Sequence, residues 1–415
     1  MNKRSTSRVD FAFTEKDLKI VFMRAYFTFR NLFIFFCTVV LAFSCKKEAI
    51  DPSETLQSVS TFPIGNNYRN NGRDFYNWTF PNGMTLFGKS GYPLRDQYLP
   101  EIRQQILTTE FSSITPETCL KMHVVSKGPD QYDFSEADKM VDFAKQTGKR
   151  IHGHVLIWPS SVPDWIRHVN WTEQQYEDWL KSYIHTVVVR YKDDIAAWDV
   201  INEPFTSFFG DGFKQKEDNF WLYHIGDDYI EKAFRWAAEA DPDALLFINE
   251  VGMESDDARQ RRKNFLALAD SLREKGVKVD GIGYQFHLIN PNIDESLMKT
   301  LISEVVEKNY LFHISELDVQ MNFPIGDKKE MTYFDYLQQR KAYNVIAYSY
   351  QKYVPKNLQH GITMWGISDV NAFCNIYLNL RVTQPSEDFP NLWDKNFQKK
   401  DAYYGFVNGL NGVLE

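Results

Sequence analysis

The chain of 415 residues alternates short apolar runs with longer stretches of helical spacing, and this alternation limits its fold more than any other feature. The runs cover residues 84–88, 111–115, 150–158, 195–202, 244–250, 279–288, 311–319 and 361–367. Apolar, β-branched runs this short, bounded by charged or turn-forming residues, read as strands buried on both faces. Between them, 135–149 sets Ala137, Met140, Val141 and Ala144 on one helical stripe, with Gly148 near its end. The stripe recurs in 228–240 (Ile230, Ala233, Phe234, Ala237) and in 257–275 (Phe265, Leu268, Ala269, Leu272). Buried strands alternating with one-sided helices predict an α/β fold. Eight such units over about 330 residues predict a single (β/α)8 TIM barrel with enlarged loops. No repeat or low-complexity tract interrupts 62–415, which reads as one domain. Residues 62–81, rich in Asn, Gly and aromatics and without periodicity, read as a lead-in segment or cap.

A barrel of this kind keeps its chemistry at the C-terminal ends of its strands. Two runs end there in a glutamate: Glu203, after Asn202 in A-W-D-V-I-N-E-P (197–204), and Glu316, in I-S-E-L-D (314–318). One strand-end carboxylate alone is a loop ion pair in the simplest reading. Two of them, each inside a longer motif, match glycoside hydrolysis, which uses one proton donor and one nucleophile or base. Carboxyls about 5–5.5 Å apart would give retention and about 6.5–9.5 Å inversion. His287 ends its own run, with Gln285 two residues before it. Asp318 shares the strand parity of Glu316, so both can face one side. His287 and Asp318 can then form a carboxylate–imidazole–carboxylate chain that keeps Glu316 charged.

The first 44 residues hold seven basic and three acidic side chains, and 32–43 is apolar apart from Thr38. That core is too short to span a bilayer but suits a signal peptide. Leu41-Ala42-Phe43-Ser44-Cys45 resembles a bacterial lipobox, which would make Cys45 the lipidation site; the alternative is a plain secretory signal cleaved elsewhere. Met23 offers a second, more compact start. The expected order is a signal peptide (1–44), a polar tether (45–61) and the barrel domain (62–415), lipid-anchored to a membrane of the cell envelope. The formal net charge of −8 becomes more negative once the basic leader is removed. This excludes nucleic acid as a partner, since that needs a basic footprint. Aromatics form 15% of the chain, enough for sugar-stacking platforms beside ordinary core packing. Cys119 and Cys374 remain after the leader; an oxidising compartment permits a bridge, and two separate buried thiols are the simpler expectation. No Cys/His spacing points to zinc.

Eight motifs in order carry a family resemblance: I-T-P-E (114–117) with Lys121, D-F-S-E-A-D (133–138), G-H-V-L-I-W (153–158), W-D-V-I-N-E (198–203), G-D-D-Y-I-E-K-A-F (226–234), G-I-G-Y-Q-F-H-L (281–288), I-S-E-L-D (314–318) and W-G-I-S-D (365–369). The chain resembles glycoside hydrolase family 10, the endo-β-1,4-xylanase family. The resemblance implies Glu203 as acid/base and Glu316 as nucleophile, with Asn202, His287 and Asp318 beside them. It implies Lys121, His154, Trp158, Gln285 and Trp365 as ligands of the sugar that becomes covalently attached, with Trp365 as its floor. No cofactor or metal is called for. The expected partner is a polysaccharide or oligosaccharide, and the expected state a monomer.

Four positions depart from the family pattern: Thr118 stands for Asn, Ser161 for Gln, Phe373 for a second Trp, and Asn249-Glu250 for an Asp-bearing strand end. The resemblance implies that Thr118 and Ser161 face the next sugar out on the glycone side and that Phe373 lies near the space about a pentose C5. The expectation is a rebuilt outer pocket that prefers a substituted or hexose-containing glycone, unless neighbouring loops refill the space.

Overall fold

The computed structural model describes residues 53–69, 78–79, 85–86, 100–205, 219–289, 291–322, 330–372 and 388–415. The leader with Cys45, and Phe373 and Cys374, lie outside them. Eight parallel strands close on themselves: β1 (Ile64–Tyr68), β2 (Ser113–Pro116), β3 (Arg150–Gly153), β4 (Ile195–Asn202), β5 (Leu245–Glu250), β6 (Gly281–Tyr284), β7 (Leu311–Val319) and β8 (Gln359–Met364). Each pairs with its neighbours in chain order, and β8 returns to β1 through Ile64↔Ile362 and Gly65↔Thr363. The principal helices are α1 (Pro100–Glu110), α2 (Ser135–Thr147), α3 (Glu173–Tyr191), α4 (Tyr229–Ala240), α5 (Arg259–Glu274), α6 (Glu295–Val306), α7 (Tyr333–Tyr353) and α8 (Asp401–Leu410).

Seven of the eight expected strands are barrel strands; the run at 84–88 is not. Thr85–Leu86 pairs antiparallel with Trp78–Thr79 in a separate two-stranded ribbon. The first barrel strand lies instead within the segment read as a cap. Its sequence, I-G-N-N-Y, carries Gly and two Asn, residues depleted in strands. It is buried all the same, because barrel closure supplies partners on both edges. The compact unit also begins earlier than expected, at Thr55 rather than 62. Leu56 in the short helix Leu56–Val59 is fully buried, and its N–H donates to Glu110 Oε2 at 3.0 Å.

The helices form for the reasons their sequences suggest. In α2 the residues Ala137, Met140, Val141 and Ala144 are buried, and Gly148 ends the helix at φ 66°, a left-handed position glycine takes without strain. Thr172 and Thr332 close capping boxes at the starts of α3 and α7. In α4, Ile230, Ala233, Phe234 and Ala237 turn inward, as their spacing requires. Truncating Phe234, which is fully buried, would cost about 3–5 kcal/mol. No helix among the described residues is long and apolar enough to cross a membrane.

Register decides what meets at the barrel mouth. Asn202 on β4 lies beside Asn249 on β5, which lies beside Gly283 on β6. A Cβ at Gly283 would overlap the Asn249 amide, so the glycine makes room for it. Beyond β6, His287–Leu288 pairs with Asp318–Val319 of β7 and sets His287 against Asp318.

Candidate active site

Glu203 follows the last residue of β4. Its backbone takes φ 52°, uncommon for a residue with a Cβ, and its N–H donates to the Asn249 carbonyl at 2.9 Å. This sharp turn at the strand end is held from the neighbouring strand. The carboxylate receives neutral donors. Trp158 Nε1 donates to Oε2 at 2.8 Å, Gln285 Nε2 to Oε1 at 3.0 Å, and Asn202 Nδ2 approaches Oε1 at 3.4 Å.

Glu316 sits in β7 with different company. Asn249 Nδ2 donates to its Oε1 at 3.0 Å, and His287 Nε2 lies 3.4 Å from its Oε2. The other nitrogen of the ring, His287 Nδ1, is 2.9 Å from Asp318 Oδ2. Burial acts to lower the affinity of His287 for its proton. Asp318 and Glu316 on either side outweigh it and raise the imidazole well above its ordinary range. The ring is therefore a cation between two carboxylates.

The two glutamates are joined through amides. Asn249 Nδ2 also donates to Asn202 Oδ1 at 2.9 Å, and Gln285 Nε2 reaches the same oxygen at 3.2 Å. Ser315 Oγ donates to Asn249 Oδ1 at 2.7 Å, which fixes the direction of that amide. Asn202, Gln285, Asn249 and Glu316 are all at most 5% exposed. At such burial each polar group needs its partner, so the network sets one arrangement of both carboxylates.

Across the mouth, Lys121 stands over the Trp158 ring with Nζ 4.4 Å from its centroid. Burial pulls its ammonium below the usual lysine range, while Glu117, Glu316 and Glu203 act to restore it. His154 is edge-on to Trp365, ring centroids 5.5 Å apart, and its Nδ1 lies 2.8 Å from Asp199 Oδ2. A carboxylate pair, a cation, two indoles and amide donors at one barrel mouth have the chemistry to grip hydroxyls and cleave a glycosidic bond.

A family profile described as "Glycosyl hydrolase family 10" matches residues 87–409. The chain belongs to that family. It is 31% identical over 358 residues to an endo-1,4-beta-xylanase A of Cellvibrio japonicus, covering 80% of this chain and 56% of that protein. It is 32% identical over 310 residues to a beta-1,4-xylanase of Dictyoglomus thermophilum, covering 73% of this chain and 83% of that one. The fold superposes on xylanase 10B from Thermotoga petrophila RKU-1 in complex with xylobiose, with a TM-score of 0.72 and 25% identity over 87% of this chain and 98% of that one. The chain thus spans little more than half the length of the Cellvibrio relative.

For this family 10 barrel, the structure brings the ten expected site residues other than Cys45 to the C-terminal mouth. Four further residues were not read from the sequence. Asn249 is the bridge between the glutamates, and Ser315 orients it. Arg69 and Asn67, at the end of β1, hold Glu117: Arg69 Nε and Nη2 donate to its two oxygens at 2.7 and 2.6 Å, and Asn67 Nδ2 donates to Oε2 at 2.7 Å. Asn249 had a signal, its strand-end place before Glu250. Arg69 and Asn67 had none, because their strand was misplaced.

The altered glycone positions are enclosed rather than open. Thr118 and Ser161 are 5% and 1% exposed, and Ser161 Oγ lies 2.7 Å from His123 Nδ1. Burial, with Lys121 and Lys127 nearby, lowers His123 to about 3, so its ring is neutral. Phe373 lies outside the described residues. Glu250 is a structural residue: its carboxylate accepts from Arg261 Nη2 at 3.0 Å and from the N–H groups of Phe205 and Val251. Cys119 is buried, and Cys374 lies outside the described residues.

Proposed function

We propose that this chain is a retaining endo-β-1,4-xylanase, with Glu316 as nucleophile and Glu203 as acid/base. The observation that carries the reading is the contrast between the two carboxylates, linked through Asn249 and Asn202. Glu316 lies 3.4 Å from the His287 ring, which Asp318 holds from its other side, a setting that suits a nucleophile. Glu203 instead accepts hydrogen bonds from two neutral groups, Trp158 and Gln285, a setting that suits the acid/base. Attack by Glu316 on the anomeric carbon forms a glycosyl ester while Glu203 protonates the departing oxygen. Glu203 then takes a proton from water, which releases the sugar with its configuration retained. Lys121, His154, Trp158, Gln285 and Trp365 bind the sugar that becomes attached.

Xylan is the substrate the relatives support. The buried Thr118 and Ser161 bear on the glycone preference, because shorter side chains remove hydrogen-bonding groups from the outer sugar. A panel of linear xylan, branched xylan and β-glucan, with product sizing, tests the reading. Release of short xylo-oligosaccharides from linear xylan is expected. Exclusive cleavage of a β-glucan would move the same chemistry to another substrate, and turnover of none would leave a glycan-binding protein.

We further propose that Cys45 carries a lipid anchor that holds the barrel at the cell envelope. The apolar 32–43 core ending in Ser44-Cys45 supports it. Cys45→Ser is expected to release the protein from membranes; unchanged partitioning would count against the anchor.

A further inference from the structure

Below the catalytic mouth, the barrel interior holds a layer that its position does not explain. TIM-barrel layers are filled mainly by branched aliphatic side chains. Here His152 of β3, His313 of β7 and His360 of β8 face one another, with Phe247 of β5 against all three rings. Ring centroids are 4.6 Å apart for His152 and His313, 5.0 Å for His152 and His360, and 4.9 Å for His313 and His360. His152 and His313 are fully buried and His360 is 2% exposed. One nitrogen from each ring lies within 4.8 Å of the others.

The hydrogen bond between His152 Nδ1 and His360 Nε2 holds one proton, which a bound metal ion would displace. His152 Nε2 lies 3.0 Å from Asp199 Oδ1, and its Nδ1 lies 3.0 Å from His360 Nε2. His313 Nε2 meets Thr363 Oγ1 at 2.9 Å, and His313 Nδ1 has no hydrogen-bond partner among the described residues. A buried nitrogen without a partner is costly. His313 has the arrangement seen where imidazoles ligate, one ring nitrogen held by a hydroxyl and the other open to the shared centre.

We propose that His152 Nδ1, His360 Nε2 and His313 Nδ1 bind one divalent transition-metal ion of the zinc class inside the barrel, apart from the catalytic mouth. Imidazole suits zinc and its neighbours, and metal–nitrogen bonds of about 2.0–2.1 Å place tetrahedral ligands roughly 3.3 Å apart. The His152–His360 spacing is already close to that, and His313 needs an inward shift on the order of an ångström. Arg150 opposes a second positive charge, and the Asp199 carboxylate offsets it. A site this enclosed fills as the chain folds, and its role is structural: it ties β3, β7 and β8 together across the lumen.

The test is the metal content and thermal midpoint of the full chain without a histidine tag. The chain is refolded from urea with zinc, with cobalt(II), or in metal-free buffer. About one equivalent per chain is expected, with a higher midpoint for the zinc form and a visible absorption band of tetrahedral type for the cobalt form. His313→Asn and His360→Gln should each lower the bound metal about tenfold or more, the scale on which losing one ligand acts. Wild-type chain that refolds without retaining metal, with the same midpoint in all three buffers, overturns the proposal. So does equal metal content in wild type and in the double variant, which would place the ion elsewhere. The wild-type measurements stand even where a variant fails to fold, and none depends on xylan cleavage.

Discussion

The ends of β4 and β7 present the same side chain in two electrostatic settings. Glu203 is surrounded by an indole N–H and two side-chain amides, with Lys121 as the charged group farther off. Glu316 touches one amide and an imidazolium that Asp318 holds from behind. A retaining hydrolase needs one carboxyl that trades a proton and one that stays charged. Under the proposed roles, one residue type serves both tasks because its neighbours differ.

Removing each carboxylate breaks the comparison most directly. Glu316→Ala is expected to lower turnover of every substrate by roughly 10⁴-fold or more, the scale of losing a nucleophile. Glu203→Ala should lower xylan hydrolysis by about 10²- to 10⁴-fold but largely spare aryl xylosides with good leaving groups, and azide should rescue it. Steady-state kinetics on both substrate types decide. Equal losses that ignore the leaving group would mean the roles are not divided as assigned.

The cation on the β7 side is next. His287→Gln leaves Glu316 and Asp318 buried without the imidazolium between them, a loss of about 3–5 kcal/mol by urea unfolding near neutral pH. The sign with pH is fixed. The folded-state value of His287 is raised well above its unfolded value. The stability it contributes is therefore complete below about pH 6.5 and is lost as pH rises through the folded-state value. The gap between wild type and His287→Gln should shrink on the alkaline side. A gap that widens there would show that the ring is neutral in the folded protein.

Cutting the link between the two sides sharpens the comparison. Asn249→Ala removes donors to both Glu316 and Asn202 and leaves Ser315 Oγ without its acceptor. About 1–3 kcal/mol of stability should be lost, with kcat falling on both substrate types together. A loss confined to poor leaving groups would show that Asn249 serves the Glu203 side alone.

The smallest effect falls on the β4 side. Trp158→Phe keeps an aromatic ring but removes the N–H that Glu203 accepts. One neutral-donor bond is worth about 0.5–1.5 kcal/mol, so kcat/KM should fall by about tenfold or less. A loss nearer a thousandfold would show that Trp158 positions Glu203 far more tightly than one hydrogen bond allows.

Glu203, Glu316, His287 and Asp318 were legible because each sits in a short motif at a strand end, and strand parity alone sets their direction. The stripes of α2, α4 and α5 were legible for the same local reason. β1 was not, because I-G-N-N-Y has neither the alternation nor the composition of a strand; its edges are satisfied only when β8 returns to it. Arg69 and Asn67 lie at the end of that strand, so their hold on Glu117 stayed hidden with it.

The sequence by itself determined the class of fold, seven of its strands and the two carboxylates, since periodicity and motif act between residues a few positions apart. Tertiary structure decided the rest: which segment closes the barrel, that Asn249 links β4 to β7, and that His152 meets His360. Those pairs lie 67 and 208 positions apart for Asn249–Glu316 and His152–His360. Their contact follows from barrel register and closure, which no local stretch of chain encodes.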